Sequence, residues 1–207
     1  MEKPVLLIFI LLVCLLCLGA GCTAPSSPPG VRSSVATPVA GNTTVPQAQT
    51  SAALTGLLSL RVDSLVPGST LPDIYTCKGA GESPGISFEQ IPSGTKSLVL
   101  ILDDPDAPAG TFTHWIVYNI PPSSTGLSQG QPDAKVLPDG SQQGETSAGS
   151  RGYYSPCPPS GTPHHYVFHL YAVDMDIVQP VANRDSINLA LTGHTLGQAE
   201  VMTVFGR

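Results

Sequence analysis

Along most of the chain, short hydrophobic segments alternate with turns rich in glycine and proline, which is the pattern of β-strands joined by loops. The clearest segment is the continuous apolar run Leu98–Leu102, which is typical of a buried strand. Strands are predicted over 57–62, 85–89, 97–102, 113–120, 166–173 and 200–205. This succession predicts a mainly β fold, an antiparallel β-sandwich with one or two peripheral helices.

One segment near the C-terminus has the periodicity of a helix. Asn183 or Asp185 can cap its start, and Gly193 can close it in the left-handed geometry. Its predicted apolar stripe consists of Ile187, Leu189, Ala190 and Leu191. Residues 121–163 form a long polar stretch with little periodicity, which predicts a loop that is either functional or mobile.

The N-terminal segment predicts export from the cytoplasm. Val5–Leu18 is an apolar stretch of the length found in signal peptides and is short for a membrane span. The small residues before Cys22 resemble the lipobox of secreted lipoproteins, although Gly19 stands where that motif usually has leucine. We therefore predict a lipoprotein-type signal peptide over residues 1–22, with Cys22 lipidated; the alternative is an uncleaved N-terminal anchor. Either form leaves the rest of the chain extracytoplasmic and attached to the cell membrane.

Residues 23–53 consist mainly of Pro, Ser, Thr, Ala, Gly and Gln, with Arg32 as the only charged residue. Such a segment cannot bury enough apolar surface to order itself, so a disordered tether is predicted. Within it, Asn42 begins an Asn-Thr-Thr sequence that fits a glycosylation acceptor. Residues 54–207 remain, which is enough chain for one domain with a proper hydrophobic core.

Composition narrows the range of partners. Charged residues make up 12% of the chain, the net charge is −6, and no run of Lys or Arg occurs, so a nucleic-acid partner is not expected. Of the five cysteines, two lie in the signal segment and Cys22 is the lipidation candidate, which leaves Cys77 and Cys157. Two cysteines in an exported domain are more often paired than free, and from composition alone both states stay open.

The first chemical motif is the acidic turn Asp103–Pro108, which follows the buried strand directly. Its two prolines restrict the backbone, so the loop loses little entropy on ordering, as a binding loop requires. His114 and Trp115 come six residues later, with Trp115 expected in the core. The alternative for an isolated Asp-Pro-Asp sequence is a solvated turn without function.

A second motif is the proline loop Pro156–Pro159, which leads through His164 and His165 to the strand predicted over 166–173. Because side chains alternate across a strand, His164 and Tyr166 face one way and His165 faces the other. His164 and Tyr166 are therefore the pair that can share a pocket with the acidic turn, since antiparallel strands bring such ends together.

Several segments together resemble the phosphatidylethanolamine-binding protein family, in its bacterial and archaeal Raf kinase inhibitor-like branch. They occur in the family's order and spacing and cover essentially the whole domain. These segments are Tyr75–Gly79, the Asp-Pro-Asp-Ala-Pro sequence at 104–108, His114 and Trp115 with Asn119, Pro156–Pro159, His164-x-Tyr166 leading into Leu170–Asp174, and His194–Arg207.

The resemblance implies a sandwich with a small anion pocket at one end that takes phosphate-like groups such as phospholipid headgroups. The implied ligand-binding residues are Asp104, Pro105, Asp106, His114, Pro158, Pro159, His164 and Tyr166. Imidazolium, tyrosine hydroxyl and backbone N–H groups donate to phosphate oxygens, while carboxylates orient the histidines. In this branch both Cys77 and Cys157 lie in pocket-lining segments, which favours a disulfide between them.

Two functions follow as hypotheses. The first is a non-enzymatic, extracytoplasmic binding protein. Inhibition of a partner enzyme is an additional hypothesis, and a protease is the class of enzyme that fits the location. Whether the protein forms a homodimer is left open. The alternative is a metal-dependent or acid–base hydrolase that uses the same Asp and His side chains. No cofactor or metal site is predicted, because His165 and His169 lie about 13 Å apart on a strand, too far to share one ion.

Overall fold

The computed structural model describes residues 57–207. The predicted signal peptide over 1–22, the lipidation residue Cys22, the tether over 23–53 and the glycosylation candidate Asn42 lie outside the described residues. In the part that is described, no helix has both the length and the apolar character needed to cross a membrane.

Over residues 57–207, eight strands form two antiparallel sheets. The strands are β1 Ser59–Val62, β2 Ile86–Glu89, β3 Ser97–Asp104, β4 Phe112–Ile120, β5 Gly126–Leu127, β6 Gln142–Gln143, β7 His164–Val173 and β8 Thr195–Phe205. The smaller sheet has the order β1-β2-β5 and the larger one the order β6-β4-β3-β7-β8. Helix α1 spans Arg184–Leu191, and a single 3-10 turn spans Asp73–Tyr75. The predicted mainly β, antiparallel sandwich with a peripheral helix is confirmed.

Strand β3 lies at the centre of the larger sheet and is buried on both faces along its whole length. Leu98, Leu100 and Leu102 pack into the main core between the two sheets. Val99 and Ile101 point the other way, into a second core that α1 covers. This double burial explains the unbroken apolar run in the sequence and makes β3 a rigid support for the residues at its end.

The structure extends the predicted strands at several ends. Strand β3 continues through Asp103 and Asp104, which pair with Thr113 and Phe112 of β4. Strand β7 begins at His164, two residues earlier than predicted, and β8 begins at Thr195, where the sequence predicted a start at 200. The short strands β5 and β6 and the 3-10 turn were not predicted, because two or three residues are too few to show a periodicity.

The helix begins at the predicted place. The Asn183 side chain accepts a hydrogen bond from the backbone N–H of Ser186, and the Ser186 hydroxyl accepts one from the Asn183 N–H, which completes a capping box. Gly193 has a φ of 81°, as the left-handed closure requires. The predicted apolar stripe is wrong at Leu189, whose side chain is exposed, while Ile187 and Leu191 are buried.

The long polar stretch between β4 and β7 is fastened to the core by Gln143. Its buried side-chain amide donates to the carbonyl oxygens of Pro132 and Ala134, both at 2.8 Å. Its oxygen accepts from the indole N–H of Trp115 at 2.7 Å, and Trp115 is fully buried, as predicted. One buried glutamine therefore orders a segment whose composition resembles a loop.

Candidate functional site

A pocket of about 220 Å³ opens at the end of the sandwich core where β3 ends and where β4 and β7 begin. Antiparallel pairing brings these three ends together, since Asp104 lies opposite Phe112 and Asp103 opposite Val167. The pocket is lined by Asp104, Ala107, Pro108, Phe112, His114, Tyr154, Cys157, Pro158, Pro159, His164 and Tyr166. Six of the eight residues predicted for the site are among them.

Asp104 and His164 form a close pair in this pocket. The Nδ1 atom of His164 lies 2.7 Å from an Asp104 carboxylate oxygen, and the two side chains are only 12% and 5% exposed. Because a carboxylate can only accept, Nδ1 of His164 carries the proton. The other Asp104 oxygen accepts the backbone N–H of Asp106 at 2.9 Å. Nε2 of His164 is thus the ring nitrogen left for a ligand.

His114 is held in a similar way by the backbone. Its Nδ1 atom lies 2.7 Å from the carbonyl oxygen of Tyr154, so Nδ1 donates and Nε2 is left for the pocket. Burial lowers the pKa of His114, although the Tyr154 carbonyl and the nearby Asp104 charge act in the opposite direction. His114 is therefore a largely neutral ring at neutral pH, with its orientation fixed.

Tyr166 provides the most informative atom of the pocket. The residue is fully buried, and among the described residues its hydroxyl is the sole buried side-chain nitrogen or oxygen without a hydrogen-bond partner. Burial raises the pKa of Tyr166, and the neighbouring Asp104 charge raises it further, so the hydroxyl keeps its proton. A buried, unpaired O–H donor in a pocket is costly unless a ligand accepts from it.

Two residues predicted for the site, Pro105 and Asp106, are not among the residues that line this pocket. The Asp106 carboxylate accepts the backbone N–H of His165 at 2.7 Å and also lies 2.6 Å from the His165 ring, and both side chains are nearly half exposed. The backbone hydrogen bond from His165, followed by the ring contact, lowers the pKa of Asp106. Asp106 thus fastens the acidic turn to β7 on the outside of the pocket.

The apolar part of the lining includes two aromatic residues that the sequence did not predict. Phe112 packs 4.7 Å from the ring of His114 and 5.6 Å from Tyr154, measured between ring centroids. Phe112 could have been found from the strand register, since it faces Asp104 across the β3–β4 pair. Tyr154 gives no comparable signal, because its place depends on the course of the long loop.

Cys77 and Cys157 form a disulfide across 80 residues of sequence, with their Cα atoms 5.4 Å apart. Next to it, the backbone N–H of Cys77 donates to the carbonyl of Pro156 at 3.1 Å. Cys157 itself lines the pocket together with Pro158 and Pro159. The covalent link therefore lies at the wall of the pocket that these two prolines form.

Asp103, directly before Asp104, faces the opposite side of the sheet. Its carboxylate accepts from the Thr113 hydroxyl at 2.7 Å and from the Arg184 guanidinium at 2.9 Å, and the ring of His169 lies 3.7 Å away. Within residues 57–207, no group of three His, Cys, Asp or Glu side chains is arranged to hold a metal ion. Asp103 therefore ties helix α1 to the end of β3.

A larger cleft of about 550 Å³ lies on that helix side and is bounded by Thr113, Glu145, Thr146, Ser147 and Arg184, among others. Two of its charged side chains already have partners, Arg184 with Asp103 and Glu145 with Arg151. Because the cleft holds no unsatisfied buried donor or acceptor, the smaller pocket is the better candidate despite its size.

The His194 ring lies 2.8 Å from a carboxylate oxygen of Asp174.

Comparison with known proteins agrees with this geometry. The model of the family described as phosphatidylethanolamine-binding protein matches residues 61–206. The chain belongs to this family. The resemblance seen in the sequence motifs is thereby confirmed, and six of the residues that it implied line one pocket.

Two relatives are similar to the chain over most of the described domain. A UPF0098 protein of Methanothermobacter thermautotrophicus is 44% identical over 151 residues, which are 72% of this chain and 99% of the relative. A UPF0098 protein of Aquifex aeolicus is 42% identical over 68% of this chain and 83% of its own length.

Two solved structures share the fold. The crystal structure of a putative phosphatidylethanolamine-binding protein homologue from Chlamydia trachomatis has a TM-score of 0.67 at 34% identity, covering 73% of this chain and 98% of that one. The structure of Escherichia coli YbcL, described as a new member of the mammalian family, has a TM-score of 0.68 at 28% identity, covering 73% and 99%. The fold of the described domain is therefore that of the family.

Proposed function

We propose that this family member is a binding protein that takes a small phosphate-like anion, either a free phosphate compound or a phospholipid headgroup, into the pocket at the end of β3. The observation that carries the proposal is the buried Tyr166 hydroxyl, which makes no hydrogen bond of normal geometry within residues 57–207, although the Asp104 carboxylate lies beside it. Phosphate oxygens are strong acceptors, and one of them placed against this hydroxyl would remove the cost of leaving it unpaired.

The two histidines support the same ligand class. Asp104 and the Tyr154 carbonyl hold the Nδ1 atoms of His164 and His114. Nε2 of His164 can donate to an anion when that ring is protonated, whereas Nε2 of the neutral His114 can accept the O–H of a protonated phosphate. Both oxygens of the Asp104 carboxylate are already hydrogen-bonded within the protein, one to the His164 ring and one to the Asp106 N–H. Apolar lining from Phe112 and the prolines limits the competition of water for the polar groups of the pocket.

Binding fits the lining better than catalysis does. Among the lining residues there is no serine or threonine hydroxyl, and the one cysteine is in a disulfide. The Tyr166 hydroxyl is a poor nucleophile because its raised pKa keeps it protonated. We therefore propose a non-enzymatic protein; turnover of a phosphodiester by the purified domain, abolished in His164→Ala, would instead establish the hydrolase alternative.

Titration calorimetry with the purified chain tests the proposal. Phosphate and phosphoethanolamine are each expected to release or absorb heat with a stoichiometry of one, and chloride at the same ionic strength is expected to give none. Tighter binding of phosphoethanolamine than of phosphate would identify a headgroup as the source of the anion, whereas equal affinities would favour a free phosphate. No heat with either compound would refute anion binding.

The Tyr166→Phe variant separates binding from stability. Without ligand, its free energy of unfolding in urea is expected to stay equal or to rise by up to about 1 kcal/mol, because an unpaired buried hydroxyl is removed. Phosphate affinity is expected to fall about tenfold, the loss of one hydrogen bond to a charged group.

Tyr153→Phe is the matched control, because the Tyr153 hydroxyl donates to the Tyr75 carbonyl at 2.8 Å. This variant is expected to lose about 1 kcal/mol of stability with phosphate affinity unchanged. Destabilisation of ligand-free Tyr166→Phe would mean that the hydroxyl has a partner within the fold and would remove the main support for the proposal.

We also propose that the domain is held outside the cytoplasm by a lipid on Cys22. The disulfide supports this location, since such bonds persist mainly in oxidising compartments. Mass spectrometry of the mature protein is expected to find an N-terminus at Cys22 carrying lipid, and Cys22→Ala is expected to lose the lipid mass and the membrane association. A mature chain that still begins at Met1 would instead establish the uncleaved anchor.

A further inference from the structure

The Cys77–Cys157 disulfide lies at the surface, since both cysteines are exposed. Most structural disulfides are buried and resist reduction, whereas exposed ones are the labile class. Cys157 also lines the pocket and is followed directly by Pro158 and Pro159, which form one of its walls. The bond is thus open to solvent thiols at the place where it shapes the pocket.

Cationic groups lie beside this disulfide. The Arg207 guanidinium lies 3.8 Å from Sγ of Cys157. Lys78 follows Cys77 in the chain, and its ammonium group donates to the Gly206 carbonyl at 2.9 Å. A cation next to a sulfur stabilises the thiolate, and a stabilised thiolate is the better leaving group in thiol–disulfide exchange.

The disulfide is the covalent fastening of the wall formed by Pro158 and Pro159. Apart from the strands, the backbone hydrogen bonds that flank this wall are Tyr154 N–H to the His114 carbonyl and Cys77 N–H to the Pro156 carbonyl. Within the described chain, residues 157–163 make no backbone hydrogen bond to any other segment before β7 begins. Between those anchors, the covalent bond at Cys157 therefore holds the wall.

We propose that Cys77–Cys157 is a thiol–disulfide exchange site through which a dithiol reductant controls the pocket. A thiolate of the reductant attacks Sγ of Cys77, the S–S bond breaks, and Cys157 leaves as a thiolate beside Arg207. The second thiol of the reductant then attacks the mixed disulfide and releases Cys77. Two electrons and two protons pass to the two cysteines, and the reductant ends as its own disulfide.

Opening the bond frees the segment that carries Pro158 and Pro159. Tyr166, His164 and His114 stay on their strands, but the wall formed by Pro158 and Pro159 is no longer fixed. A ligand must then order that segment when it binds, which lowers its affinity. This consequence for the anion rests on the proposed function, whereas the exchange reaction at the two sulfurs does not.

The exchange reaction is tested on the native oxidised chain with glutathione and dithiothreitol. After brief treatment with glutathione and trapping by iodoacetamide, peptide mass spectrometry is expected to find glutathione on Cys77 and the alkyl group on Cys157. Reduction by dithiothreitol is expected to be several-fold slower in Arg207→Gln, whose phosphate affinity when oxidised is unchanged. Glutathione found on Cys157 instead, or an unchanged rate in Arg207→Gln, would overturn the proposed route.

Control of the pocket is tested by phosphate calorimetry before and after reduction. The reduced protein is expected to bind phosphate at least fivefold more weakly, with its near-ultraviolet circular dichroism retained as a sign of intact packing. The Cys77→Ser/Cys157→Ser double variant is expected to bind phosphate as weakly as the reduced protein does. Its affinity is expected not to change when dithiothreitol is added. Equal affinities in the oxidised and reduced forms would overturn the control of the pocket, while absence of binding in the oxidised form would refute the proposed function instead.

Discussion

Replacing His164 with alanine is expected to lower phosphate affinity at least tenfold. The change removes a ring that Asp104 orients at 2.7 Å and whose Nε2 faces the pocket. A hydrogen bond to a charged group contributes about 1.5–3 kcal/mol, and each 1.4 kcal/mol corresponds to a factor of about ten in affinity. Calorimetry with inorganic phosphate on the folded variant measures the effect directly.

His165→Ala is the matched control because it removes the same side chain one position later on β7. Its ring lies against Asp106 on the exposed side of the strand and does not line the pocket. Phosphate affinity is expected to stay within about twofold, since the lost contact is an exposed pair of small energetic value. Similar losses in both variants would show that the histidines act through general charge and not through a directed site.

The Cys77→Ser/Cys157→Ser variant is expected to lose about 4 kcal/mol of unfolding free energy. The bond spans 80 residues, and closing a loop of that length removes much of the conformational entropy of the unfolded chain. For a domain of this size the loss corresponds to a fall in melting temperature of about 10 °C.

Urea denaturation of the oxidised protein, the reduced protein and the double variant measures this loss. The reduced protein and the double variant are expected to have the same free energy of unfolding, because both lack the same covalent constraint. A difference below about 1 kcal/mol between the oxidised protein and the double variant would mean that the bond acts on the pocket wall without constraining the unfolded chain.

The fold could be predicted from local patterns because the central strands have strong ones. The apolar run of β3 and the alternation along β7 place Asp104, His164 and Tyr166 at the same end of the sandwich, and the structure places them there. The start of β8 was missed because Thr195–Gln198 contain one large hydrophobic residue, Leu196, and gain their strand geometry from pairing with β7.

The parts of the pocket that could not be predicted depend on contacts distant in sequence. Asp103 and Asp106 both belong to the acidic turn, but they have different partners. Arg184 of α1 pairs with Asp103, and His165 of β7 pairs with Asp106. Local sequence does not reveal which partner reaches which carboxylate. The place of Tyr154 likewise depends on a distant contact, because its backbone N–H donates to the His114 carbonyl at 2.9 Å.

The pairing of Asp104 with His164 joins positions 60 residues apart in the chain. During synthesis, the first of these emerges from the ribosome well before the second, so the buried β3 strand has only part of its sheet available at that stage. Such non-local pairing makes folding slow, and the apolar strand stays exposed until β7 arrives. A chain truncated before His164 would therefore lack two of its pocket donors and would also present an unpaired central strand that is prone to aggregate.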